Sequence, residues 1–559
     1  MSTRSTLRRL LSVGLALSVA CAACGGDSGE SNSSTPAPDT PADPTEAVVP
    51  APGGDVTFAL EAETAGGYCL PEAQLAVSGL EVARSIYDPL TTPSADGSMV
   101  PYLAESVEPS DDFTTWTIKL RDGVVFHDST ALDAQVVKNN LDAYTGNYEG
   151  RAALLSQFIT SDIESVEVAD PLTVIVTTKR PWVAFDTFLF FGGRFGIMAQ
   201  AQLDSENCAE ELIGTGPFML DEWVVNEELT TTRNPDYWQT DERGVQLPYL
   251  DSITFKISPE ANQRVSALEA GDGVELLHTA DTAQIVRLRD LARSGDISLV
   301  ESNEFAEVQW QMLNMSKPPF DNRNARLAFA TAIDLELLNE ISYDGILEQA
   351  TGPFSPGSLG HLDDPGRPPF DPEAAADFAA AYEADTGQEL SIELGFVSNE
   401  SNTLLAQEMQ GQLAEAGIDS NLDPVGDQAT FVSTALGGDY EVISFRSFTG
   451  GDPDRHYTNL RSDSPVNLMR VKDAEIDRLL DEGRSEGDTG KRQEIYEAIN
   501  RRMAEEVYSF FVANTNWAIA GVPELGGVLD TPLPGGESPF PGLAEGFPTV
   551  GLHVNTAPA

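Results

Sequence analysis

An apolar run over residues 10–20, preceded by Arg4, Arg8 and Arg9 and closed by the small residues and cysteines of ACAACGG, decides where this chain can fold. A basic start, a short apolar core and a small-residue end make an export leader, too short to span a bilayer as a helix. Cys21 and Cys24 are three apart, but a redox pair needs a folded pocket that lowers a thiol pKa, and zinc needs further ligands nearby. Neither is at hand between a leader core and a polar tail. Cys24, between Ala22-Ala23 and Gly25-Gly26, looks like a cysteine that is freed by cleavage and acylated, with residues 1–23 removed, plain secretion being the alternative. The third position before it is Cys21, where such a site prefers Leu, so Cys21 remains the alternative anchor. Residues 24–50 lack aromatics and are rich in Ser, Thr, Pro and Asp, which makes them a solvated tether. Folding falls to the residues after 50, outside the cytoplasm and held to the membrane by lipid.

That location gives the other sequence features their meaning. With 33 Lys plus Arg against 89 Asp plus Glu, the net charge is −56, which repels phosphates and excludes nucleic acid as a partner. The acidity reads first as a solubility device for an exposed surface. Cys69 and Cys208 are the cysteines outside the leader, and two cysteines in an exported chain point to one disulfide, two buried free thiols being the alternative. The five histidines, His127, His278, His361, His456 and His553, have no metal-ligand spacing, and no Gly-x-Ser-x-Gly elbow is present. Acidic residues are too numerous for any one pair to stand out as acid and base. The reading assigns no catalytic residues, no cofactor and no metal.

Strand and helix patterns alternate along the chain. DVTFAL (55–60) alternates as a half-buried strand, and residues 78–90 form a helix ending before Pro89. Residues 114–130 predict a strand, a turn at Asp122-Gly123 and a second short strand. Residues 132–144 predict a helix capped by Asp133, and residues 321–341 are strongly helical throughout. Two further helices occupy 473–507, broken at Gly487-Asp488. The order is that of an α/β protein.

Several strings, in this order, resemble the extracytoplasmic solute-binding proteins of ABC importers in the peptide/nickel-binding class, family 5. They are YDPLTTPSADGSMVPYLAESVEPSDDFTTWTIKLRDGVVFHDST (87–130), GTGPFMLDEW (214–223), NPDYW (234–238), LPYLDSITFKI (247–257), NMSKPPFDNRNARLAFATAID (314–334) and DPDRHYTNLRSDSPVNLMRVKDAEIDRLL (452–480). The resemblance implies a periplasmic-binding-protein-like α/β fold with two main lobes, a hinge and a third, inserted lobe. Lobe I takes 51–82, 210–305 and 515–559 with the C-terminal tail, lobe II, the insertion, 83–209, and lobe III 306–514. On that map Cys69 and Cys208 flank the insertion, and a disulfide staples its ends. GTGPF and PPFDNRNAR themselves read as turn chemistry feeding a strand and a capped helix.

The resemblance also implies a solute enclosed between the lobes and handed to ABC permease subunits by a monomer at the extracytoplasmic face of the membrane. The solute is a small peptide-like or other polar molecule. A receptor reporting to a signalling partner is the second reading. The densest binding stretch is EVISFRSFTGGDPDRHY (441–457), a strand running into a glycine bend with Arg446, Phe448, Thr449 and Asp452. Arg446 offers a planar fork for an anionic or accepting group. In peptide-binding relatives an Asp three residues before the acidic-Pro pair holds the ligand amine, and here that position is Thr449. Tyr68 and Trp310 lie where the two main lobes face the cleft.

Overall fold

The computed structural model describes residues 49–555 apart from 65, 155, 427, 448 and 449. Cys21 and Cys24 lie outside the described residues, as do Phe448 and Thr449 of the glycine bend.

The alternating patterns become strands. In Thr115–Leu120 every second side chain, Trp116, Ile118 and Leu120, is buried. Asp55–Leu60 sits in the interior of a sheet, between parallel neighbours Ser252–Ile257 and Leu276–Thr279. Its last three residues are buried together, as an interior strand covered on both faces requires. Three larger sheets result. A seven-stranded sheet runs in the order Ser298–Ser302, Trp517–Gly521, Leu276–Thr279, Asp55–Leu60, Ser252–Ile257, Glu228–Arg233 and Phe218–Val224. A six-stranded sheet runs Glu348–Gln349, Ser509–Asn514, Val308–Leu313, Val442–Ser447, Ser391–Val397 and Asp419–Val425. A four-stranded antiparallel sheet is built wholly from residues 104–178.

The chain crosses between the two largest sheets at two neighbouring places, from Ser302 to Val308 and from Asn514 to Trp517. Two short crossings side by side, running in opposite directions, are what a hinge between two bodies requires. The four-stranded unit leaves the seven-stranded one and returns to it, and the Cys69–Cys208 disulfide closes the root of that excursion. The bridge is buried, so the alternative of two free thiols is set aside.

Three of the recurring strings meet at a buried carboxyl group beside this root. Asp88 of YDPL accepts from Thr215 Oγ1 of GTGPF (3.0 Å), and from Trp238 Nε1 (2.9 Å) and Tyr237 OH (3.3 Å) of NPDYW. Burial pushes its pKa up to about 6, against the pull of those donors. A Cβ at Gly216 would lie 2.6 Å from the Ile86 carbonyl, so the glycine is needed for this close approach. GTGPF is thus a packing motif that feeds the strand Phe218–Val224.

Two expectations change. Residues 124–127 form no second strand; Val125 makes an isolated bridge to Ala131, while His127 turns to the GTGPF loop and touches the Gly216 carbonyl at 3.0 Å. The helical stretch 321–341 is two helices, Arg323–Ala332 and Leu335–Ser342. Asp334 breaks it because its side chain accepts from the amides of Glu336 and Leu337, a helix start inside an apolar periodicity that runs on unbroken. The helices Ala134–Tyr144, Ala474–Ser485 and Thr489–Glu506 form with caps from Asp133, Asp473 and Asp488.

Candidate solute-binding site

The strands Val308–Leu313 and Val442–Ser447 pair antiparallel, with Trp310 opposite Phe445 and Gln309 opposite Arg446. Paired residues share a face, so Trp310 and Arg446 project from opposite faces of the sheet. Trp310 is buried, stacked on Phe511 (5.4 Å) and edge-on to His456 (6.3 Å). His456 ends the turn Pro453–His456 and packs edge-on against Phe354 at 5.5 Å. Asn514, the last residue of its strand, pairs with Val308, two positions from Trp310.

These three side chains share one property. Trp310 Nε1, both ring nitrogens of His456, and both amide atoms of Asn514 are buried without a hydrogen-bond partner among the described residues. Buried polar groups are almost always satisfied, and one left unpaired costs roughly 1–3 kcal/mol. Burial, assisted by the Arg455 charge, lowers the His456 pKa to about 3, so its ring is neutral at ordinary pH. The arrangement offers neutral donors and acceptors beside two aromatic faces.

Around them the charges are matched. Asp452 takes two bonds from Arg492 (2.8 and 2.9 Å), while its side chain also caps the turn through the Asp454 amide (2.9 Å). It therefore positions His456, being already engaged itself. Arg455 makes a buried ion pair with Glu545 and lies over the Phe191 ring. Arg446 Nη1 is 3.5 Å from Glu307 Oε2, and the guanidinium stays about half exposed while Glu307 is buried. Glu307 raises the Arg446 pKa, and also accepts from Trp517 Nε1 at 3.2 Å. Tyr68 is buried beside the disulfide, edge-on to Trp223 at 5.4 Å, in the core of the seven-stranded unit.

The glycine bend stands against the other two units. A Cβ at Gly451 would lie 2.7 Å from the Gly97 carbonyl, and one at Gly450, where φ is 58°, would collide with the Arg455 guanidinium. Below the bend a buried seam joins the four- and six-stranded units. Arg484 donates to Asp454 (3.0 and 2.9 Å) and to Asp162 (2.7 Å), and Trp182 Nε1 donates to Asp454 (2.8 Å). The Arg484 guanidinium is sandwiched by Tyr457 (3.4 Å) and Trp182 (4.6 Å).

The structure thus brings Trp310 together with two residues that sequence reasoning passed over, His456 and Asn514. It leaves Tyr68 and Asp452 in packing and positioning roles. The turn DPDRHY after two glycines was the available signal for His456; Asn514 carried none beyond its place at the second crossing.

Two α/β bodies joined by paired crossings, with a third unit stapled to one of them, define the lobed architecture of extracytoplasmic solute-binding proteins. Solved structures of that class share the fold. AgaA from A. tumefacien R10, solved with agropinic acid, has a TM-score of 0.76 at 24% identity, over 90% of this chain and 99% of that one. The ABC transporter-associated periplasmic binding protein DppA from Helicobacter pylori, solved with the peptide STSA, has a TM-score of 0.75 at 21% identity, over 90% and 98%. The family described as bacterial extracellular solute-binding proteins, family 5 Middle, matches residues 98–467, and the chain belongs to it. Among its relatives, the nickel-binding periplasmic protein of Escherichia coli K12 is 26% identical over 471 residues, 80% of this chain and 87% of that protein. The glutathione-binding protein GsiB of Salmonella paratyphi A is 31% identical over 345 residues, 61% of this chain and 64% of its own length.

Proposed function

We propose that this protein is the substrate-binding component of an ABC importer. It captures a small peptide-like or other polar solute between its lobes and presents it to permease subunits. The lobes are residues 51–82, 210–305 and 515–559 (I), 83–209 (II) and 306–514 (III). The monomer is tethered outside the cytoplasm by a lipid on Cys24; no helix among the described residues is long and apolar enough to cross a membrane. Family membership supports the class, and relatives named for nickel and glutathione support a small, polar solute. One observation carries the location of the site: the unpartnered polar atoms of Trp310, His456 and Asn514 gather beside the glycine bend and the second crossing. Arg446, half exposed beside Glu307 on the other face of that sheet, is a second candidate contact, with hydrogen bonds that Lys cannot copy.

A thermal-shift screen of peptides, amino acids, sugars and metal chelates tests the reading, followed by small-angle scattering for compaction on binding. At about 100 times its dissociation constant a true solute adds roughly 2.7 kcal/mol of stability. No shift across the screen and no compaction would defeat the proposal.

A further inference from the structure

The chemistry of the cleft narrows the solute, given the binding reading above. We infer that the innermost part of the site receives an uncharged hydrogen-bonding group, a carboxamide, a peptide amide or a hydroxyl, and excludes a free ammonium or carboxylate. The argument is a census of what the site can offer. Trp310 Nε1 is a donor only, a neutral imidazole gives one donor and one acceptor, and the Asn514 amide gives both. Together they complement a group that itself donates and accepts. None of the three carries a charge, and the burial that lowers the His456 pKa keeps it neutral.

An ammonium entering here would need a free carboxylate. The carboxylates of the turn and Glu545 are engaged, Asp452 with Arg492, Asp454 with Arg484 and Glu545 with Arg455, while burial pushes the pKa of Asp186, next to Asp452, up to about 7 and so disfavours its charge. A carboxylate would need a free cation, and the arginines of the turn are engaged with those acids while Arg446, on the other face of the sheet, faces Glu307. Burying an unmatched charge costs far more than burying a matched neutral amide. Trp310 and Phe511, both buried, stack on each other at 5.4 Å and border the polar set with apolar side chains.

The test compares neutral probes with charged ones, the blocked and unblocked dialanine sharing one dipeptide core. Acetyl-dialanine methylamide and maltose are the neutral probes; unblocked dialanine and citrate are the charged ones, all read by calorimetry and thermal shift on the full chain. The expected result is binding of at least one neutral probe, with the charged probes about tenfold weaker or worse. Asn514→Leu and His456→Phe should weaken the neutral probe about tenfold while leaving the melting temperature of the probe-free protein unchanged or raised, because each removes an unpaired buried polar group. Tighter binding of dialanine or citrate would overturn the inference and leave the solute-binding reading intact. A failure of both neutral probes, or a lower melting temperature in both variants without loss of probe affinity, would also overturn it, the latter by marking these atoms as structural.

Discussion

Replacing Arg484 by Met perturbs the seam between the four- and six-stranded units at its centre. The guanidinium is 2% exposed and bonds to Asp454, which is fully buried, and to Asp162, which is 7% exposed. Met fills much of the aliphatic stem but leaves Asp454 without a cation. Removing one partner of a buried pair costs about 3–5 kcal/mol, because the other charge stays buried and unmatched. Asp454 keeps its bond from Trp182 Nε1 (2.8 Å) and a longer one from Tyr496 OH (3.4 Å), which places the cost near the lower end, about 3 kcal/mol. Asp162→Asn is the graded control, since Arg484 retains both bonds to Asp454; about 1 kcal/mol is expected. Urea unfolding followed by tryptophan fluorescence reads both, with Trp182 reporting from within the seam. If Arg484→Met costs less than about 1 kcal/mol, the pair behaves like a solvated surface bridge and the reasoning fails.

The remaining predictions concern other parts of the chain. Burial pushes the Glu81 pKa from 4.5 up to about 8, against a bond from the Phe547 amide. A raised folded-state value favours the fold at low pH, so this contribution is intact below about 4.5 and lost as pH climbs to about 8. Glu81→Gln should therefore gain stability relative to the parent across that window, and a difference independent of pH would refute the assignment. Cys69→Ser with Cys208→Ser opens a loop of sequence separation 139 and should cost up to about 5 kcal/mol by chain entropy, read as a lower melting temperature. A non-reduced digest of the parent should contain the linked peptides. Cys24→Ala should release the protein from the membrane fraction or leave its leader uncut; continued attachment of a processed variant would rule out acylation at that residue.

Sequence alone conveyed the strands well where one face is buried, as in Thr115–Leu120, because alternation and burial are the same fact. It also conveyed the order of strings from 87 to 480, most of which fall within the family match over residues 98–467. It failed where a polar side chain competes with backbone periodicity, as at Asp334, and where a loop borrows partners from far along the chain, as at His127. The site was half legible. Trp310 stands in an alternating strand, so its face follows from register. Asp452 reads in sequence as a ligand carboxylate because Arg492, 40 residues on, is invisible until the helix Thr489–Glu506 folds back upon it. His456 was hidden because histidine in sequence suggests metals, whereas the role proposed for it depends on being neutral and enclosed.

The charges of the seam bear on the proposed motion. A closure contact must be strong enough to hold a solute and still be able to part. Arg484 and Asp454 belong to the same unit, and Arg180 with Asp162 to the other, the latter pair at 3.1 Å. Separation therefore severs Arg484 from Asp162, Trp182 from Asp454, and Arg180 from Tyr457 (2.7 Å) and Asp481 (3.5 Å), but each of these charges keeps a partner in its own unit, Asp481 through Arg461. Each half leaves as a neutral pair, which removes the largest cost of exposing or rejoining buried ions. A seam built from one acid on one side and one base on the other would hold more tightly and open at far greater cost. The pairing within each unit is what makes a buried ionic contact compatible with a cycle of capture and release.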